Sequence, residues 1–240
     1  MIRLVRVSYG SPRRVLQNVS LHLPRGSAGV LVGPMGSGKT LILRLCSGSL
    51  LPDDGSVLVG GSDTRTMRGR AQQRMRQATA FITTELPLQP TRTVLQNITT
   101  PLELRGTQRT RAVRAALRAL DALDALSLAK AWPAELSSGE RQVVVIARAL
   151  AQRPLLVLVD EPMAALPSCH GERLMTLLSD LSAQGSSVLM ASRDAELAPR
   201  DARIWQLRGG TVGPCEVIPH RVDAPRSALV DVLLRHVGPT

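Results

Sequence analysis

Aromatic side chains are nearly absent: Tyr9, Phe81, Trp132 and Trp205 are the whole set in 240 residues. Surfaces that bind single strands or RNA stack bases on interleaved aromatics, so this scarcity argues against them despite a net charge of +11. Cysteine is scarce as well. Cys46, Cys169 and Cys215 are scattered without metal-ligand spacing, which excludes a disulfide scaffold or zinc ribbon and fits a reducing compartment. Long apolar runs are missing. The longest, Leu155–Val159 and Val143–Ala147, fall far short of the ~18 residues a membrane helix needs. Another chain would have to supply any membrane part of its work. The segment Met1–Val7 lacks an apolar core ahead of a small-residue cleavage site, so no signal peptide is expected.

What is present is an ordinary globular composition, 44% hydrophobic and 20% charged, of a length for one large domain or one domain with an inserted lobe. Of the 30 basic residues only Lys39 and Lys130 are lysine. The basic excess is local: Gly61–Arg118 holds 11 arginines against Asp63, Glu85 and Glu103. A solvated face is the plain reading of that stretch; an anionic lipid or nucleic-acid surface is the alternative.

The chain reads as strands alternating with helices. Strands are expected at Ile2–Val7, Val19–Leu23, Ala28–Val32, Ser56–Val59, Leu155–Val159, Ser187–Ala191 and Arg203–Leu207, with turns at Gly10-Ser11-Pro12, Pro52–Gly55 and Gly209-Gly210. Helical spacing appears in Leu41–Cys46, in Arg111–Leu126 and in Glu172–Ala183, and the stretch Thr91–Ala151 is mostly helical. This pattern predicts a parallel-rich α/β sheet with an inserted helical lobe. The residues after Pro214 read as a tail, with an amphipathic segment at Ser227–His236.

Between the strand Ala28–Val32 and the helix Leu41–Cys46 stands Gly33-Pro34-Met35-Gly36-Ser37-Gly38-Lys39-Thr40, a full phosphate-loop pattern. Its glycines let backbone N–H groups face a β-phosphate, and the following helix adds its positive end. Lys39 would reach the β- and γ-phosphates, and the Thr40 hydroxyl would bind Mg²⁺. A lysine here, in a chain that otherwise writes arginine, indicates that a compact ammonium was needed. The second half of such a site is an apolar strand ending in acids, and Leu155–Val159 runs into Asp160 and Glu161. Asp160 would hold Mg²⁺, and Glu161 stands where a base polarises water.

Leu136-Ser137-Ser138-Gly139-Glu140, the helix that follows it, and Asp160-Glu161-Pro162 complete a set that resembles the nucleotide-binding domain of an ABC transporter ATPase. The resemblance covers roughly residues 2–213. Asn97, Pro101-Leu102-Glu103-Leu104 and Gly106 look most like the lipoprotein-release, macrolide-export and cell-division ATPases. It implies a P-loop NTPase core of ABC type with an antiparallel β subdomain and a helical subdomain at about 83–152, making a domain of 1–213 and a tail of 214–240. It implies ATP and Mg²⁺ as ligands, head-to-tail dimerisation with itself or with a second ABC ATPase, and a separate integral membrane permease. It places the chain peripherally on the cytoplasmic face of the cell membrane. Tyr9 matches the aromatic that stacks on adenine. Ser137 and Gly139 would meet the γ-phosphate bound by the partner; Ser137 heads a helix, which favours anions.

Three positions depart from the family pattern. Thr84 stands where a glutamine senses the γ-phosphate and Mg²⁺, with Gln89 able to replace it only if the loop slips. Leu166-Pro167 stands where Leu-Asp should close the loop after Glu161, which removes an acid and a backbone donor. Arg193 stands at the switch histidine; it keeps charge and donors but cannot shuttle a proton. Ser138 for glycine is a milder change. Binding groups are kept and transition-state groups are altered, so ATP binding with slow hydrolysis is expected. The alternatives are a regulatory subunit that closes a dimer with little hydrolysis and a soluble ABC-type protein acting on nucleic acid, the last disfavoured by the single nucleotide-binding domain.

Overall fold

The computed structural model describes residues 1–83, 87–162, 166, 168–195, 198–199 and 201–217. Contacts divide them into two compact units. The first comprises Met1–Phe81, Pro154–Glu161 and the described residues from 181 to 217; the second comprises Ile82–Arg153 and the described residues of Pro162–Asp180.

The first unit holds two sheets. One is antiparallel, in the order β2-β1-β4-β5, from β1 (Ile2–Tyr9), β2 (Leu16–Leu23), β4 (Asp54–Val59) and the short β5 (Ser62–Asp63). The other runs β10-β9-β3-β8-β7-β6, from β3 (Ala28–Val32), β6 (Thr79–Ile82), β7 (Leu156–Asp160), β8 (Ser187–Ser192), β9 (Arg203–Arg208) and β10 (Thr211–Val217). Its centre, β9-β3-β8-β7, is parallel. Within it β3, β7 and β8 are almost unbroken apolar runs because both faces are covered, whereas β9 alternates at its end with exposed Gln206 and Arg208.

Helix α1 (Lys39–Cys46) packs on β4 of the first sheet and on β7 and β8 of the second. Ile42, Leu43, Leu45 and Cys46 are fully buried there. Each large aliphatic side chain so placed contributes about 1.5–3 kcal/mol. Burial pushes the Cys46 thiol up to about 12, so it serves packing rather than chemistry.

The second unit is helical: α3 (Val94–Glu103), α4 (Arg109–Asp121), α5 (Ser138–Leu150) and most of α6 (Ser168–Ala183). Alanines form the buried face of α4, at Ala112, Ala116 and Ala119, beside Leu120. In α6, Arg173 donates from Nε to the Ala122 carbonyl at 2.9 Å and pairs with Asp124. Asn97 is buried and braces its own loop: it accepts from the Gln89 amide at 2.7 Å and donates to the carbonyls of Gln89, Arg92 and Thr93. That bracing is a physical role for an asparagine that entered the sequence reading only through a resemblance, and it opposes the slippage Gln89 would need.

The structure corrects several expected bounds. β2 begins at Leu16 rather than Val19, because irregular register with β1 lets the strand start early. α4 ends at Asp121, five residues before Leu126, which lies in a 3₁₀ turn, and α6 starts four residues ahead of Glu172. Helix α2 (Gly69–Ala78) was not expected at all; its sole buried side chain is Met75, so it has no apolar stripe to read. β10 carries the chain through the 213/214 boundary by pairing Cys215 with Trp205 and Val217 with Arg203. Thr84, Pro167 and the amphipathic segment Ser227–His236 lie outside the described residues.

Candidate functional site

The site is built on three neighbouring strands. β3 lies between β9 and β8, and β8 lies between β3 and β7. Register pairs Val32 with Ser192 and Asp160 with Ala191. The chain therefore leaves the carboxyl ends of β3, β8 and β7 side by side, as the phosphate loop, Arg193 and Glu161. Ligands of open parallel sheets collect at such strand ends.

The loop after β3 curls because its glycines permit it. A Cβ on Gly33 would lie 2.3 Å from the Leu207 carbonyl oxygen, so only hydrogen fits. Gly38 has φ +102°, and a Cβ there would meet Leu16 Cδ2 at 2.6 Å. Gly38 is the N-cap of α1, with no side-chain cap and no acid in the first turn. The orphan amides of that turn are thus left for an outside acceptor. Ser37 Oγ is buried without a hydrogen-bond partner among the described residues, and Met35 at the tip is exposed. A buried hydroxyl and a bare helix start in one loop fit a bound anion.

Lys39 is only 5% exposed, and its ammonium is held from several sides. Nζ donates to the carbonyls of Gly33 at 2.7 Å and Pro34 at 3.0 Å, and Glu161 Oε1 lies 3.4 Å away. These acceptors satisfy a buried cation in the space a phosphate would share. The Thr40 hydroxyl donates to Asp160 Oδ1 at 3.1 Å. Burial raises the Asp160 carboxyl above its ordinary value, Glu161 adds to the rise, and the Thr40 hydrogen bond, Arg44 and Lys39 oppose it. Thr40 and Asp160 offer hard oxygen donors, which suit Mg²⁺. Among the described residues no group of three His, Cys, Asp or Glu side chains makes a complete metal cage. The donor set fits an ion that takes its remaining ligands from phosphate and water.

Glu161 turns out of β7 at φ +43°, an uncommon conformation for a residue with a side chain, and its amide donates to the Ala191 carbonyl at 3.1 Å. Its carboxylate faces two cations, Lys39 on Oε1 and Arg193 Nε at 3.5 Å from Oε2. Arg193 is kept near the strand end by a turn in which the Asp194 amide donates to Ser192 Oγ.

Tyr9 ends β1 and pairs with Leu16, the residue whose side chain crowds Gly38. Asp53 fixes the turn beyond it by accepting from the Gly10 and Ser11 amides at 2.8 and 3.0 Å. Val15 was missed by sequence reading. It is 40% exposed, with Cγ1 3.7 Å from the Gly38 Cβ position, and offers an apolar surface beside the loop. An isolated valine in a turn carries no motif, so no signal pointed to it.

In the second unit Ser137 caps α5 within a reciprocal box. Its Oγ accepts from the Glu140 amide at 3.2 Å, while Glu140 Oε2 accepts from the Ser137 amide at 2.8 Å and from its hydroxyl at 2.7 Å. Ser137 is exposed and Gly139 is buried. Among the described residues no helix is long and apolar enough to cross a membrane.

The two-sheet fold, the glycine-curled loop and the acids at the end of β7 define a P-loop ATPase. A family model described as ABC transporter matches residues 16–164. An ABC transporter ATP-binding protein of Mycobacterium tuberculosis is 34% identical over 221 residues, 91% of this chain and 89% of that one. The lipoprotein-releasing system ATP-binding protein LolD of Porphyromonas gingivalis is 35% identical over 210 residues, 87% of this chain and 95% of its own. The dimeric structure of MJ0796, a bacterial ABC transporter cassette, matches with a TM-score of 0.82 at 30% identity, covering 90% of this chain and 98% of that one. MJ0796 in a post-hydrolysis state bound to ADP and Pi matches at 0.78 and 31%, with the same coverage. The chain belongs to the ABC transporter family.

Proposed function

We propose that this chain is the ATP-binding subunit of a transporter-like membrane complex, peripheral on the cytoplasmic face, and drives a separate integral membrane permease. The observation that carries the reading is the convergence of Lys39, Asp160 and Glu161 at the ends of β3 and β7. Gly33, Pro34, Met35, Gly36, Ser37 and Gly38 cradle the phosphates through backbone amides, and Lys39 exchanges its carbonyl acceptors for phosphate oxygens. Tyr9 and Val15 form the apolar platform for the base. Thr40 and Asp160 hold Mg²⁺, with Thr84 a further candidate ligand. When bound, Mg²⁺ neutralises charge on the phosphate oxygens. Glu161 orients and polarises the attacking water. Ser137 and Gly139 are offered to the nucleotide held by a second ATPase subunit, the same chain or a different one.

Slow turnover belongs to the same reading, because Arg193 cannot relay a proton. The second reading, a regulatory subunit that binds ATP and closes a dimer with little hydrolysis, draws on one observation: each oxygen of Glu161 faces its own cation. Calorimetric titration of the folded chain with Mg²⁺ and a non-hydrolysable ATP analogue tests the binding. Saturable heat is expected, and none in a native sample overturns the assignment. Turnover is expected below that of an intact family member by ~10²-fold or more; equal rates overturn the slow-hydrolysis part.

A further inference from the structure

We propose that the antiparallel sheet carries a ligand site of its own, a polar cleft that binds a small soluble phosphate monoester bearing hydroxyl groups. The cleft shares no residue with the phosphate loop and has a volume of about 570 Å³, within the ~300–1,000 Å³ usual for small-molecule sites. It opens where three strands leave regular pairing together. The register of β1 with β2 shifts between Leu4 and Val7 and again between Val7 and Tyr9, and that of β1 with β4 shifts between Val5 and Ser8. Bulges of this kind bend the strands and re-aim their side chains. Each strand gives the cleft a residue with left-handed backbone: Arg6 at φ +45°, Asn18 at +53° and Gly55 at +80°. A Cβ on Gly55 would strike the carbonyl oxygens of Val5 and Arg6. Ser8 is buried in the lining and ties the deformed strands: its Oγ accepts from the Asn18 amide at 3.1 Å and its carbonyl from the Asp53 amide at 3.0 Å. An arginine held in so uncommon a conformation, inside a braced cleft, points to a use for its side chain.

The lining names the ligand. Arg6 and Arg14 both face the cleft, and among the described residues no hydrogen bond or ion pair engages either guanidinium. Arg6 is bonded through its amide, which donates to Ser20 Oγ at 3.0 Å, and Arg14 through its carbonyl, which accepts from Gln17 Nε2. Asp54 lines the same cleft, yet neither arginine pairs with it; its Oδ1 accepts from the Gly55 amide at 2.8 Å, which leaves Oδ2 for a ligand hydroxyl. Two unpaired guanidiniums suit a phosphate monoester, whose charge at neutral pH is about −1.5 to −2 and whose oxygens match the guanidinium fork. Asn18, Asp54 and Ser56 supply partners for a hydroxylated body. Val5 is the one apolar side chain in the lining, so an acyl chain finds no surface there and the ligand is a soluble molecule rather than a lipid headgroup.

Calorimetric titration of the full chain with glucose 6-phosphate tests the site, first with Mg²⁺ and a non-hydrolysable ATP analogue filling the phosphate loop, then in K39A without nucleotide. Saturable heat is expected in both. R6Q and R14Q should each weaken binding at least about tenfold, the loss expected of one charge-assisted hydrogen bond, with thermal melts verifying that they fold. R3Q, at an exposed arginine of β1 that does not line the cleft, should bind as the wild type does. D54N should weaken the sugar phosphate about threefold or more and leave inorganic phosphate no weaker, because Asp54 meets the hydroxylated body alone. Absence of heat from the wild type, its loss in K39A, or an equal loss in R3Q overturns the site. So does retention on phosphatidate vesicles without heat from the soluble ester. Failure of the analogue to bind would overturn the ATP-binding reading alone, since the K39A titration still reads the cleft.

Discussion

Helices α1 and α5 both begin at a motif read as phosphate-binding, and the two starts are finished in opposite ways. At α1 the N-cap is Gly38, with no capping side chain and no acid in the first turn. At α5 the N-cap is Ser137, closed by a reciprocal box with Glu140. An uncapped start leaves amides to an outside anion, whereas a boxed start has already satisfied two of them, the Ser137 amide with the Glu140 carboxylate and the Glu140 amide with the Ser137 hydroxyl. The α1 loop thus leaves its helix start open to an anion within a single chain, as the proposed ATP site requires. The α5 start is stable by itself, and the Ser137 hydroxyl must leave Glu140 before it can serve a nucleotide held elsewhere. The difference teaches that two anion-seeking motifs in one chain can differ in whether an anion is needed to complete them.

The largest effect is expected at Lys39. K39A should weaken ATP binding by about 10²-fold or more, because a buried cation is lost from the phosphates and Glu161 is left facing them; equilibrium dialysis with labelled ATP measures it. S137A should leave single-chain ATP affinity unchanged, and if it falls as far as K39A the contrast collapses. G38A comes next. A methyl at φ +102° against Leu16 should cost about 1–3 kcal/mol and lower Tm by roughly 2–4 °C per kcal/mol, read by thermal melting. S137A follows, removing a cap worth about 1 kcal/mol; the melt should show that loss, and ATP-dependent self-association measured by sedimentation should weaken.

The smallest effect concerns acid. The hydrogen bonds from the Ser137 hydroxyl and amide hold the Glu140 carboxyl below its ordinary value, 4.5. A lowered folded value means that the box contributes fully above the unfolded value and is lost as pH falls through the folded one. The Tm difference between wild type and E140Q should therefore be present near neutral pH and shrink toward zero in acid. A pH-independent difference would show that the carboxylate's charge does not matter to the cap.

Much of this architecture was legible along the chain. The apolar strands ahead of Gly33 and Asp160 have few polar alternatives, and Ser137 with Glu140 at capping-box spacing announces a helix start. Helix α2 was not legible, because with Met75 alone buried its stability comes from neighbours rather than from a stripe. The early start of β2 escaped notice because bulged register hides alternation. At the site Lys39, Thr40 and Asp160 were readable as residues, while Val15 was not, since its role depends on which loop folds over Gly38.

The sequence by itself determined what is local: a loop whose glycines and lysine lie within one turn of each other, a helix capped by its own neighbours, and acids placed at the end of an apolar strand. These features follow from backbone sterics and hydrogen bonds between near residues. Only the tertiary structure decided that Glu161 is shared between Lys39 and Arg193. That sharing depends on β8 lying between β3 and β7. Strand order is set by how crossover connections pack, a property of the whole sheet that no short stretch of chain encodes.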